Sequence, residues 1–344
     1  MLRLLISMFA CAALLPAVDP GNHVHKSVPV DSATRLVLTA DVGGIRVEPG
    51  YGKRVDVEVS FHGTPPSQAE YDRMLRDFRL DITQQGSDVR VNGAFHDGWV
   101  PILAFFPFFG NHSLCRNWQC LEYGSWLRYV EYRVTVPEKF NADVETWSGP
   151  IFISNLKGEV NAHTSGGSLS FEGVEGQVNG STAGGPITLT GGNGRAIVRT
   201  SGGGIKIHEA AGDVDATTSG GPISIEGNLG RVRARTSGGG IWIKDASGAI
   251  DASTSGGGVT ASLVGQPKEE CRLFTSGGSI LVSLSRNIHV DLDASASGGT
   301  VWTDFPVTIS GTRNPGDLHA PLNGGGPRLY LHTSGGGIAV RHAD

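Results

Sequence analysis

Three features are scarce in this 344-residue chain, and each scarcity excludes something. Lysine and arginine form no cluster and the net charge is -5, which argues against nucleic acid or an anionic membrane surface as the main partner. After the first residues, no apolar run is long enough to span a bilayer as a helix. Reactive constellations are also missing: His163, His208, His289, His319 and His332 are dispersed, and serine is too abundant for a Ser-His-Asp set to be inferred. No catalytic residue, cofactor or metal site is therefore assigned. A calcium-loaded roll needs repeated Gly-Gly-x-Gly-x-Asp, whereas Gly191-Gly192-Asn193-Gly194 is followed by Arg195-Ala196.

Glycine is plentiful. Its 51 residues, with 39% hydrophobic residues and no Gly-x-y period, are neither collagen nor a disordered tract but punctuation between strands. A Thr-Ser-Gly-Gly-x-Ile-x-Ile unit returns every 18 residues, at Thr146, Thr164, Thr182, Thr200, Thr218, Thr236 and Thr254. Counting from threonine as zero, positions five and seven are apolar (Ile205 and Ile207, Ile223 and Ile225), and so, or small, are fourteen and sixteen (Val214 and Ala216, Val232 and Ala234). Residues two apart share a strand face, so each unit reads as two short strands and two glycine corners, one full coil. Four inward side chains at roughly 1.5–3 kcal/mol each cannot order an isolated coil, whose backbone costs about 1–2 kcal/mol per residue, so only the stack folds. The fold class is all-β: a single-stranded parallel β-solenoid, β-helix-like, with 18-residue coils, right-handed by the bias of parallel crossovers, and one short N-terminal helix. The threonines are expected in an inward or corner ladder, each hydroxyl bonding its neighbour above.

Residues 1–17 read as a secretory signal peptide, with Arg3, an apolar run from Leu4 to Leu15, and Pro16-Ala17 at the cleavage site. Lipoprotein processing at Cys11 is the alternative, and either route exports the chain. In an oxidising compartment Cys115 and Cys120 are expected to pair across a short loop, leaving Cys271 as a buried thiol. Residues 18–140 form an N-terminal β region. It holds a degenerate first coil at Gly43-Gly44-Ile45-Arg46-Val47, a helix announced by the Ser67/Glu70 capping box, and an apolar insert over 99–128. The insert contains Phe105, Phe106, Phe108 and Phe109. It reads either as a segment folded against the solenoid or as an exposed aromatic patch. Residues 141–344 are the repeat domain. Its period loosens after Thr254, with a polar loop Gly311–Pro327 on the side of the stack and Leu329, Leu331, Ile338 and Val340 closing the final coil.

The run Arg35–Ser60, the strand Tyr129–Pro137 leading into Val144-Glu145-Thr146, and the Thr-Ser-Gly-Gly-x-Ile units resemble the bacterial DUF4097 adhesin family, similar to the head domain of autotransporter adhesins. The resemblance implies an exported β-solenoid of the cell envelope, without enzymatic residues to carry over. The insert over 99–128 departs from that pattern.

Two functional classes follow. In the first, a stiff non-enzymatic rod serves adhesion, scaffolding or sensing, its outward positions meeting polysaccharide or an envelope protein; Phe152, Trp242 and Trp302 are candidate stacking residues, too far apart in the repeat to form one platform. In the second, the scaffold carries a polysaccharide lyase or hydrolase, for which Asp215 and Asp251, two coils apart with Arg233 between, are the carboxylates to consider.

Overall fold

The structure is a computed structural model that describes residues 23–30, 34–63, 67–95, 127–308 and 314–343. The signal-peptide reading, Cys11, the four phenylalanines of the insert, and Cys115 and Cys120 lie outside the described residues.

Among the described residues, 28 strands form two sheets of 14 strands each. Each regular coil gives one strand to each sheet. Val160–Thr164 lies in the back sheet, the Ser-Gly-Gly corner follows, Leu169–Glu172 lies in the front sheet, and the next corner returns the chain to Val178–Thr182. Equivalent residues stack in register, Val160 on Val178, Thr164 on Thr182, Leu169 on Ile187, with one irregularity between Ile243 and Ala246. Alternation puts Ile205, Ile207, Ile223 and Ile225 into the core from the front sheet and Val214, Ala216, Val232 and Ala234 from the back. Isoleucine facing alanine fills a narrow interior. Phe171 is the exception, and Gly180 makes room for it: a Cβ on Gly180 would come within 2.8 Å of the ring.

The degenerate first coil is a real layer. Arg35–Ala40 and Gly44–Gly50 stack in parallel on Asn141–Thr146 and Ile151–Ser154, so both sheets run through residue 140 unbroken. Beyond it the sheets end in antiparallel strands, His23–Pro29 in front and Phe78–Gln85 behind. The helix Gln68–Asp77 crosses from one sheet to the other. Ser67 Oγ accepts the Glu70 amide at its N-terminus, and Tyr71 and Met74 are buried. Beneath it Phe78 meets Phe61 and Phe95 edge-on at 5.0 and 5.3 Å. This apolar plug closes what would otherwise be an open mouth.

The other end departs from sequence order. Arg328–Thr333 and Ile338–His342 do not close the stack; they lie between the coil of Cys271–Leu284 and the coil of Val290–Thr303. The segment expected to be a side loop contains a strand, Asp317–Leu322, which pairs antiparallel with Val290–Ala296 and forms the outermost rung of the back sheet. Its Pro321 lacks an amide donor and so blunts that edge. In front, the Val301 amide is taken by the Pro315 carbonyl and Asp304 caps the His342 amide, so loop and carboxylate cover the last rung.

The threonine ladder also differs in its bonding. Each threonine is buried at a corner, but its hydroxyl does not bond the next threonine. It donates to a glycine carbonyl one coil earlier: Thr164 to Gly149, Thr182 to Gly167, Thr236 to Gly221, at 2.8–3.0 Å. Threonine-to-threonine contact would leave those corner carbonyls unpaired, and the corner is too tight to admit a substitute.

Candidate functional site on the back sheet

Outward side chains form straight columns, because the coils stack in register. On the front sheet one column runs Arg46, Phe152, Ser170, Thr188, Lys206, Ser224, Trp242, Thr260. Beyond Leu281 and Ala339 it reaches Trp302. The three aromatic candidates thus share a face and a column. Five strand spacings separate Phe152 from Trp242, about 24 Å, and four separate Trp242 from Trp302, about 19 Å. Each is isolated. Arg46 lies 4.3 Å over the Phe152 ring and Arg341 lies 5.5 Å from the Trp302 ring, while Trp242 lies against the backbone of Gly240.

A denser arrangement stands on the back sheet, toward the end with the interleaved coil. One column reads Asp215, Arg233, Asp251, Arg272, Tyr330, Asp293, and beside it runs Thr217, Arg235, Ser253, Phe274, His332, Ser295. Alternating charges along the stack make cross-strand ion pairs, the usual glue of a sheet face. Asp251 Oδ2 receives Arg233 Nε at 3.2 Å and Arg235 Nη2 at 3.0 Å. Glu270 receives Arg272 Nη2 at 2.8 Å, and this guanidinium holds the Glu270 carboxyl below the usual carboxylate range. Asp293 is bonded by Arg328 and lies 2.8 Å from His319 Nδ1.

Three rings complete the face. Phe274 and His332, on neighbouring strands, stack at 5.4 Å with 12° between planes; Tyr330 is parallel to His332 within 4° at 6.4 Å, and Arg328 covers the Tyr330 ring at 4.8 Å. Phe274 is 39% exposed. Next to the rings, Arg231, Arg233, Asp251, Glu269, Glu270 and Arg272 line a groove of about 360 Å³. Sequence spacing did not point to these rings. Phe274 and His332 are 58 residues apart, and their contact exists only because the interleaved coil lies directly against Cys271–Thr275.

The carboxylates considered for hydrolysis are arranged differently from an acid and a base sharing a substrate. Arg233 stands between Asp215 and Asp251 in the column, and Asp251 is engaged by two guanidinium groups. Among the described residues no group of three or more His, Cys, Asp or Glu side chains is placed to hold a metal ion. No described helix is long and apolar enough to cross a membrane.

Comparison with known proteins finds only distant similarities among solved structures. No family model matches the chain, and no curated protein matches it. A candidate cell adhesion protein from Clostridium sporogenes is similar over 93% of this chain and 99% of its own, at 12% identity and a TM-score of 0.22. A candidate adhesin from Bacteroides fragilis covers 93% and 97% at 10% identity and 0.32. A candidate lipid binding protein from Parabacteroides distasonis covers 94% and 98% at 9% identity and 0.38. Superposition scores this low carry no weight for function.

Proposed function

We propose that this chain is an exported module of the bacterial cell envelope that works by binding, in adhesion, scaffolding or sensing, and not by catalysis. The observation that supports this most is the engagement of Asp251 by Arg233 and Arg235 on a face where Glu270 and Asp293 are likewise paired with arginines. Side chains locked to one another this way present a fixed polar relief; a general acid or base must be free to exchange a proton with substrate. Two rigid, regular faces suit an extended partner, a polysaccharide or an envelope protein. The resemblance of the Thr-Ser-Gly-Gly units to the DUF4097 family and the signal-like residues 1–17 support the envelope setting. The residues 99–128 belong to this reading as a second candidate contact region.

The test is to incubate the mature chain with insoluble envelope and plant polysaccharides, measuring in the same tubes the protein lost from solution and the sugar ends released. Depletion without new ends supports a binding module. New ends, lost in Asp251→Asn, would make the protein an enzyme and sink the proposal.

A further inference from the structure

The ring array and the groove lie side by side on the back sheet, and Phe274 has an open side between them and Arg235. His332 covers one side of Phe274. On the other side its neighbour in the column is Ser253, and the next is Arg235. Serine is too short to reach the ring. Arg235 stands two strand spacings from Phe274, about 9.6 Å along the stack. A flat ring laid on the open side of Phe274 at about 4 Å would sit above Ser253. Arg235 would lie beyond it along the stack, and Asp251 and Arg272, adjacent in the neighbouring column, would flank its rim on one side.

The charges around this slot choose its occupant. The groove lining holds Arg231, Arg233 and Arg272 with Asp251, Glu269 and Glu270, and Arg235 at the slot adds a fourth guanidinium; the formal charge is 4 − 3 = +1, yet each of the four guanidinium groups is paired with one of these carboxylates. An anionic polymer would have to take Arg233 from Asp251 or Arg272 from Glu270, and a cationic one would have to face the same arginines. A hydroxyl group does neither: it donates to a carboxylate and accepts from a guanidinium in one contact. A molecule with an apolar ring face and a rim of hydroxyls matches the slot on both counts.

We propose that the slot between Phe274 and Arg235 binds a pyranose unit of an uncharged polysaccharide, its C–H face on Phe274 and its hydroxyls bridging Asp251, Arg235 and Arg272. This rests on the binding reading given above and adds the ligand class and the site. The columns run along the stack, so the polymer would lie along the rod, and Trp242 on the opposite sheet would take no part.

Affinity electrophoresis tests it, in native gels cast with galactomannan, hydroxyethyl cellulose or dextran as uncharged probes and alginate as the anionic one. The full mature chain, Phe274→Ala and Trp242→Ala would be run with and without about 0.5 M NaCl, which screens exposed charges beyond a few ångströms. The expected result is retardation by at least one uncharged probe, unchanged by salt and by Trp242→Ala, and weakened about tenfold by Phe274→Ala. Equal mobility in probe-free gels and equal melting temperatures would show that Phe274→Ala still folds. Retardation by alginate alone, abolished by salt, would overturn the ligand class and leave the binding reading standing. Retardation that survives Phe274→Ala and disappears in Trp242→Ala would overturn the site. No retardation by any probe would overturn this inference, while depletion by the insoluble panel would still decide the broader reading.

Discussion

Thr218 donates its hydroxyl to the carbonyl of Gly203, one coil earlier, at 2.8 Å, and the same oxygen accepts the amide of Gly221 at 3.3 Å. One side chain thus ties two successive corners together, and the arrangement recurs from Thr164 to Thr333. Valine has nearly the same shape without the hydroxyl. Thr218→Val should cost about 1–3 kcal/mol, the penalty of leaving corner groups unpaired, and Thr218→Ser should recover most of it. Urea unfolding of the three proteins checks this.

The two corner glycines should respond unequally to alanine. A Cβ on Gly221 would come within 2.1 Å of the Gly203 carbonyl oxygen, which is backbone and cannot turn away, whereas a Cβ on Gly220 would stand 3.4 Å from the Gly202 oxygen. Gly221→Ala should cost about 3 kcal/mol and Gly220→Ala within about 1 kcal/mol. Equal melting temperatures for the two variants would contradict this packing.

Acid should weaken the N-terminal layers through one buried carboxylate. Arg35 grips Asp88 with Nε at 3.0 Å and Nη2 at 2.8 Å, and this bidentate bond holds the Asp88 carboxyl below the usual range. A carboxylate depressed in the folded state adds stability that is present above its unfolded value, about 3.9, and is lost as pH falls through its folded value. Asp88→Asn should therefore be less stable than the parent at pH 7. Its stability should also vary less with pH below about 4. Denaturant midpoints measured across that window would show the two curves converging.

Thiol chemistry separates the cysteines. Burial pushes the Cys271 thiol up, and its sulfur accepts the Ile250 amide inside the core. In a chain freed of residues 1–17, no Cys271 alkylation is expected before unfolding. Denatured without reductant, that chain should titrate one thiol if Cys115 and Cys120 are bridged. Three thiols would rule the bridge out.

Chelation makes the simplest contrast. The hydrogen-bonded corners hold the stack without a metal-ligating cluster among the described residues, so EDTA should leave the melting temperature unchanged. A drop of several degrees would point to a bound ion.

The coil, its 18-residue period, the first coil and the helix with its Ser67 cap were legible because each is a local pattern: alternation, glycine at fixed offsets, serine before glutamate. The hydroxyl acceptors were not, since choosing between a threonine and a glycine carbonyl requires corner geometry. Nor was the stacking order after Thr275, where intervals of 21 and 37 residues replace 18 and any layer could follow any other. The ring array fell into that gap. Phe274 looks like a stray aromatic until Arg328–Thr333 is known to lie beside it.

The interleaved coil bears on how this molecule comes into being. A chain that leaves a ribosome or an export channel from its N-terminus can add the regular layers one at a time, each onto a finished template. That order fails at Leu284. Val290–Thr303 emerges next, yet its parallel neighbours Arg328–Thr333 and Ile338–His342 are the last described strands in the chain. The rod must pause with one rung missing until Arg328–Thr333 and Ile338–His342 arrive. Phe274 and His332 meet only then, so the face that carries the proposed sugar slot is backed by its second ring only after these late strands have docked.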